Sequence, residues 1–263
     1  KGRSITLCLD GEMIRAHFLQ FIFGGVMGGH FDLDDYEPAI VPAAGRFAAD
    51  HRKTRTAAPI RGDLAKAAFD RIFALAALIF FLPFFLAIAA AIKLSDGGPV
   101  FYRHRRIGRG GESFGCLKFR TMAPDAEARL QRLLESDPAA RAEWAANQKL
   151  DPDPRVTCLG EFFRKTSLDE LPQFWNVLMG QMSVVGPRPI VADEAARYGE
   201  HFADYLSVRP GVTGLWQVSG RSNTSYAERV ALDVRYVRTR SFLGDLRIIL
   251  RTVTVMLRRD GAR

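Results

Sequence analysis

The chain has 263 residues, enough to bury one sizeable core and carry an extension, and its 48% hydrophobic content is ordinary for a globular protein. Lys and Arg (37) outnumber Asp and Glu (29), and the net charge of +8 calls for a polyanionic partner: nucleic acid, an acidic bilayer surface or a phosphorylated substrate. Cys8, Cys116 and Cys158 are an odd number, widely spaced and without a C-x-x-C, which argues against a disulfide framework or a zinc site and suits a reducing compartment.

Residues 1–60 carry little pattern. Phe18 to Met27 is apolar but interrupted by glycines and too short to span a bilayer, and His51 to Arg55 reads as a basic linker. We take this stretch as a flexible N-terminal extension to a domain over 61–263.

Ile72 to Ile92, IFALAALIFFLPFFLAIAAAI, has no polar side chain. As one straight helix it would rise about 31 Å and cross the hydrocarbon core. Pro83 near its middle favours a kink, and basic residues flank both ends (Lys66 and Arg71 before, Lys93 and Arg103 after), so the positive-inside rule gives no orientation. A re-entrant helix-break-helix hairpin over 64–94 satisfies both observations; a kinked spanning helix is the alternative. The hairpin reading expects a sharp bend at Leu82-Pro83 supported by the tail helix or neighbouring loops, with Lys66 and Lys93 on the same side of the membrane.

Pro99 to Tyr102 reads as a short strand, followed by the basic, glycine-rich Arg103 to Gly111. Such a turn either approaches a phosphate closely or is a solvated hairpin loop. Phe114 to Met122 alternates as a strand and carries Lys118 and Arg120. Ala126 to Glu135 has helical spacing, and Asp137-Pro138 ends that helix and caps another through Trp144.

Lys165 to Pro189, KTSLDELPQFWNVLMGQMSVVGPRP, holds two adjacent acids, Asp169 and Glu170, preceded by Arg164 and followed by Pro187-Arg188-Pro189. Ser167 to Glu170 fits a capping box and Pro172 fits a first helical turn, so the acids are expected near a helix N-terminus, where the dipole would keep a carboxylate ionised. A carboxylate there can attack phosphorus, and its neighbour can hold Mg²⁺. The plain alternative is a pair of solvated first-turn acids.

Ala192 to Tyr205 reads as helix, and Arg209 to Arg221, RPGVTGLWQVSGR, as loop-strand-loop. From Asp245 to Arg259 an apolar stripe (Leu246, Ile249, Leu250, Val253, Leu257) runs beside Arg247, Arg251 and Arg258. This tail is either a docked core helix or an amphipathic helix lying in a membrane interface, and its basic face favours the second.

These motifs resemble the bacterial sugar transferases that are monotopic polyprenol-phosphate phosphoglycosyl transferases, in the short form of exopolysaccharide type. That family has K-F-[RK]-T-M, matched at 118–122; R-x-x-S-L before an Asp-Glu dyad, matched from Arg164; P-R-P, matched at 187–189; and R-P-G-[IV]-T-G, W-Q-V and G-R, matched at 209–221. The resemblance covers Asp63 to the C-terminus. It implies a helix-rich α/β fold with a re-entrant membrane hairpin, seated on the cytoplasmic face of a bacterial inner membrane. The implied reaction moves a sugar 1-phosphate from a UDP-sugar to undecaprenyl phosphate through a phosphosugar-aspartate. Asp169 is then the nucleophile and Glu170 the Mg²⁺ ligand. Arg164, Arg188 and Arg221 would bind the nucleotide diphosphate, and Lys118 and Arg120 the substrate. The implied partners are these substrates, inner-membrane lipid and a second copy of the chain, with no nucleic acid. A basic membrane-anchored scaffold with a degenerate site is the alternative from another class.

Overall fold

The computed structural model describes residues 63–147, 150–220 and 224–258. The extension at 1–60 and Arg221 lie outside the described residues. What is described is a helix-rich α/β structure with two small sheets.

The apolar run forms two helices, α1 (Asp63–Phe80) and α2 (Leu82–Asp96), bent by 60° where they meet at Phe81. Pro83 falls in the first turn of α2, where its missing N–H costs nothing because first-turn donors have no intrahelical acceptor. The sequence places Pro83 near the middle of the apolar run, yet in the fold it starts a helix rather than interrupting one. Hydrogen bonds continue across the break, from Phe81 N–H to the Ala77 carbonyl (2.8 Å) and from Phe85 N–H to the Phe81 carbonyl (2.9 Å). No single described helix is long and apolar enough to cross a membrane. The rise is about 14 Å from Ile72 to Phe80 and about 16 Å from Leu82 to Ile92, each half a hydrocarbon core.

Among the described residues the tail helix packs at a distance from the bend and not against it. The tail helix, α10 (Phe242–Arg258), meets the other end of α1: Phe242 stands edge-on to Phe69 at 5.1 Å, and Lys66 Nζ donates to Asp245 at 2.6 Å. At the bend Phe80, Leu82 and Phe84 are exposed. Farther along α2, Phe85 packs on Phe119 (5.2 Å between rings).

Strands β1 (Phe101–Ile107) and β2 (Ser113–Phe119) form an antiparallel hairpin with Phe101 opposite Phe119 and Ile107 opposite Ser113. The glycine-rich basic stretch is its connection, with Gly110 and Gly111 at positive φ (71° and 84°). The strand reading at Pro99–Tyr102 was thus too short, because alternating arginines on an exposed face masked the rest of β1. Helices α3 (Ala126–Ser136) and α4 (Pro138–Asn147) fall where the spacing predicts, and the Asp137 carboxylate accepts from Ala139 N–H. They bury Leu130 and Ala140 with Leu150 in a small separate core.

Helix α5 (Cys158–Thr166) is capped by Thr157, leads into a 3-10 turn at Leu168–Glu170, and is followed by α6 (Gln173–Leu178). Strand β3 (Ser183–Val185) pairs in parallel with β4 (Gly211–Thr213). Between them lie a 3-10 stretch (Ala192–His201) and the short α7 (Phe202–Leu206), where one helix was expected. Gly199, at φ 52° and ψ −130°, interrupts it. Helices α8 (Leu215–Ser219), α9 (Tyr226–Thr239) and α10 complete the fold.

The main core packs Ala74 of α1, Phe114 and Cys116 of β2, Val177 of α6, Val184 and Val185 of β3, Tyr236 of α9 and Ile248 of α10. A buried polar network crosses it. Asp245 accepts from Lys66, and the Tyr236 hydroxyl lies 2.9 Å from both Asp245 Oδ1 and the Val185 carbonyl, its one proton shared between the two acceptors. The tail helix is therefore docked along Asp245, Ile248 and Thr252, while Leu243, Leu246, Leu250 and Val253 form a second, exposed apolar stripe.

Candidate active site

The dyad sits where the end of β2, the end of α5 and the following 3-10 turn converge. The local path is not the capping box that the sequence suggests. Ser167 is the C-cap of α5, in the left-handed region at φ 57°, and makes no side-chain cap for the next turn. That conformation is uncommon for a residue with a Cβ and turns the chain sharply enough to drive Asp169 inward. Asp169 is 7% exposed, whereas the Glu170 side chain is a third exposed.

Two contacts fix this arrangement. A Cβ on Gly160 would lie 1.9 Å from the Thr121 carbonyl oxygen, so α5 presses against the end of the β2 segment at a point only glycine can occupy. Asn176 of α6, 2% exposed, accepts from Leu117 N–H (2.9 Å) and donates to the Gly115 carbonyl (2.8 Å), locking the helix after the dyad onto β2. Asn176 was missed in the sequence, although an amide inside the apolar run from Phe174 to Leu178 is a visible signal.

Lys118 of β2 holds both carboxylates, with Nζ 2.6 Å from Glu170 Oε1 and 3.7 Å from Asp169 Oδ2. Burial raises the Asp169 pKa to about 6, against the pull of Lys118 and Arg164 and with the help of the Glu170 charge. Burial also pushes Glu170 upward, but the Lys118 charge and hydrogen bond, with Arg188 and Arg106, carry it below its ordinary value. The expected dipole effect on Asp169 is thus overridden by desolvation. Two adjacent carboxylates are driven apart, the usual mark of divided roles.

Around the pair, Arg164 donates through Nε to Thr121 Oγ1 (2.9 Å). Arg106 donates to the Pro189 carbonyl (3.1 Å) and pairs with Glu194 (3.6 Å), which ties β1 to the P-R-P segment. Arg188 lies close enough to weigh on Glu170 and sets its guanidinium 5.5 Å over the Trp216 ring. Lys118, Arg164 and Arg188 are therefore assembled with the dyad. Arg120 is occupied elsewhere: it pairs with Asp96 at the end of α2 and donates to the carbonyls of Pro99 and Met122. It ties the apolar helix pair to β2.

Among the described residues no group of three or more His, Cys, Asp or Glu side chains could hold a metal by itself. One or two carboxylates completed by substrate phosphate oxygens is, however, the usual donor set for Mg²⁺, and Asp169 and Glu170 offer that set. The arrangement as a whole is a buried nucleophile-grade carboxylate beside an ionised one, inside a ring of fixed cations. It can neutralise and displace at a phosphate.

Comparison with known proteins finds close relatives over most of the described residues. A family model described as bacterial sugar transferase matches residues 61–259. The exopolysaccharide production protein ExoY of Rhizobium meliloti (strain 1021) is 51% identical over 201 residues, covering 76% of this chain and 89% of that protein. ExoY of Sinorhizobium fredii (strain NBRC 101917 / NGR234) is 49% identical over 201 residues with the same coverage of each chain. The undecaprenyl-phosphate galactose phosphotransferase of Salmonella typhimurium (strain LT2) is 49% identical over 197 residues, which are 75% of this chain and 41% of that longer protein.

Proposed function

The chain belongs to the bacterial sugar transferase family, and we propose that it transfers a sugar 1-phosphate from a UDP-sugar to undecaprenyl phosphate, releasing UMP, at the start of exopolysaccharide synthesis. The observation that carries this reading is the Asp169–Glu170–Lys118 cluster, one carboxylate buried with a raised pKa and its neighbour ionised, ringed by Arg106, Arg164 and Arg188.

In the first step an Asp169 carboxylate oxygen attacks the β-phosphorus of the UDP-sugar. The bond from that phosphorus to the bridging oxygen breaks, and UMP leaves with the oxygen and its electron pair. In the second step a phosphate oxygen of undecaprenyl phosphate attacks the same phosphorus. The acyl-phosphate bond breaks, Asp169 is regenerated and the lipid diphosphate-sugar forms. Lys118 holds Asp169 in place and offsets part of the charge that accumulates as two anions meet. Arg164 and Arg188 supply fixed positive charge to the diphosphate, in the planar form suited to phosphate oxygens. Glu170 is the residue we assign to Mg²⁺, which when bound would neutralise diphosphate charge and favour UMP as a leaving group.

The lipid acceptor requires the site to meet a membrane. The bent α1–α2 pair, whose Ile72, Leu75, Ile79, Phe80 and Phe84 are exposed, supports immersion in one leaflet from the cytoplasmic face of the inner membrane, with both ends returning to the same side. The exposed apolar stripe of α10, next to Arg247 and Arg251, suits the interface beside it.

The test is UMP release by the purified, detergent-solubilised chain across a panel of UDP-sugars with undecaprenyl phosphate and Mg²⁺. One UDP-sugar should give lipid-dependent turnover. Release with none of them, from folded protein, contradicts the proposal.

A further inference from the structure

On the far side of Arg188 lies a cluster that the dyad chemistry above does not use. Arg229 of α9 sets its guanidinium 4.4 Å over the Trp216 ring and 5.7 Å from the ring of Tyr226, the first residue of α9. Arg188 shares the Trp216 ring at 5.5 Å, and Arg197 lies 4.9 Å over Tyr226. Three guanidiniums are thus gathered on two aromatic rings.

Stacking engages the guanidinium faces and leaves their N–H edges free in the plane, the edge with which arginine meets an oxyanion. Three polar groups here, Trp216 Nε1, the Tyr226 hydroxyl and Arg229 Nε, are buried and have no hydrogen-bond partner among the described residues. Trp216 is itself only 7% exposed. Nearly all buried polar atoms in folded proteins are paired, so three orphan donors gathered around the Arg229 guanidinium mark a place shaped for an acceptor; Asp233 Oδ1 beneath them is also without a partner among the described residues and reaches none of the three.

The local charge agrees. Glu194 is already engaged by Val191 N–H (3.0 Å) and Arg106 (3.6 Å). Asp233 beneath the cluster accepts from the Tyr198 hydroxyl (2.8 Å), and burial raises its pKa to about 7, so it offers less than a full counter-charge. Burial first, and then the nearby Arg188 charge, makes the Arg229 cation less favourable than usual, a cost that a bound anion would remove.

We propose that Arg188, Trp216, Tyr226 and Arg229 form a second anion site contiguous with the dyad, which takes a phosphomonoester dianion. One product and one substrate of the proposed reaction present that group, the leaving UMP and the lipid phosphate acceptor. The ring faces are covered by guanidiniums, which disfavours the alternative of a stacked nucleobase. The choice of ligand rests on the reaction proposed above; the site rests on its own geometry.

The test is calorimetric titration of the full chain with UMP, with a short-chain polyprenyl phosphate and with inorganic phosphate, none of which requires turnover. Arg229→Lys keeps the charge but loses the fork, and Trp216→Phe and Tyr226→Phe keep the rings but lose the donors. Arg229→Lys should weaken binding by about tenfold or more, as expected on losing charge-assisted hydrogen bonds, with unchanged circular dichroism and Tm. Each of the other two variants should weaken the same ligand by a smaller factor. Loss confined to UMP assigns the site to the nucleotide, and loss confined to the polyprenyl phosphate assigns it to the lipid. Unchanged affinity for all three probes in folded variants overturns the site. Wild-type protein that binds UMP but turns over no UDP-sugar would instead sink the proposed reaction and leave the site standing.

Discussion

In the proposed reaction Asp169 is the attacking residue, and its burial gives a signed expectation. Its pKa is raised to about 6, so the attacking carboxylate is populated above that pH and lost below it. The kcat/KM for UDP-sugar should fall about tenfold per pH unit on the acid side of pH 6. A profile that stays flat down to pH 5 would show that no group with this environment is the nucleophile. The stability linkage has the opposite sign, because the folded state binds the proton more tightly than the unfolded chain. Keeping Asp169 ionised therefore works against folding above its unfolded pKa near 4, and the penalty fades as pH falls from about 6 towards 4. Asp169 and Glu170 were legible in the sequence because an acidic pair inside a long, unbroken motif is specific. The direction of the Asp169 shift was not, because it depends on desolvation by side chains from β2 and α5 that are distant in the chain. The cluster at Trp216 was illegible for the same reason: only the fold brings Arg188, Arg197 and Arg229 onto two rings.

Elements place these residues through a few tight contacts. Gly160 lets α5 touch the Thr121 backbone, and Arg164 leaves the end of that helix to reach Thr121 Oγ1. Gly160→Ala should destabilise the protein by about 1–3 kcal/mol through overpacking, read from chemical denaturation, and should lower activity more than the stability loss accounts for. Wild-type stability and kinetics in this variant would mean that the α5 contact does not position the site. The helix pair α1–α2 was half legible. The apolar run and Pro83 gave the break, but the support of the break did not follow, because the tail helix is drawn to the start of α1 by the Lys66–Asp245 pair. Pro83→Ala restores a donor in the first turn of α2 and should favour a straighter, longer helix, with reduced activity as one flank is displaced. Single cysteines at Leu64 and Leu94, both highly exposed and placed in a Cys8→Ser, Cys158→Ser background, report the topology. Both should label from the cytoplasmic side in the parent. Labelling of one flank only from the periplasm would establish a spanning helix and reject the one-leaflet arrangement.

At the scale of the whole molecule, a fold of helices and two small sheets carries both a cationic site and an apolar, bent helix pair, which suits the proposed meeting of a charged donor and a lipid acceptor. The family match begins at residue 61, and deletion of residues 1–60 should leave UMP release within about twofold of the parent, as expected for changes away from the packed site. A folded, membrane-bound truncation without activity would make that extension part of the catalytic unit. Charge, the broken apolar helix pair and the family were readable from composition and motifs, since those are local in sequence. The sugar was not, because no short motif encodes the shape of a pocket assembled from several elements. The proposed reaction stands on a covalent phosphosugar at Asp169, which intact-mass spectrometry of the full chain detects. Incubated with its UDP-sugar and Mg²⁺ but no lipid acceptor, the protein should gain the mass of one sugar phosphate, release a matching burst of UMP and lose the adduct when undecaprenyl phosphate is added. Asp169→Asn should show neither adduct nor burst. UMP formed only after the lipid is added, with no adduct at any time, would mean direct transfer between the two substrates and would overturn the covalent mechanism.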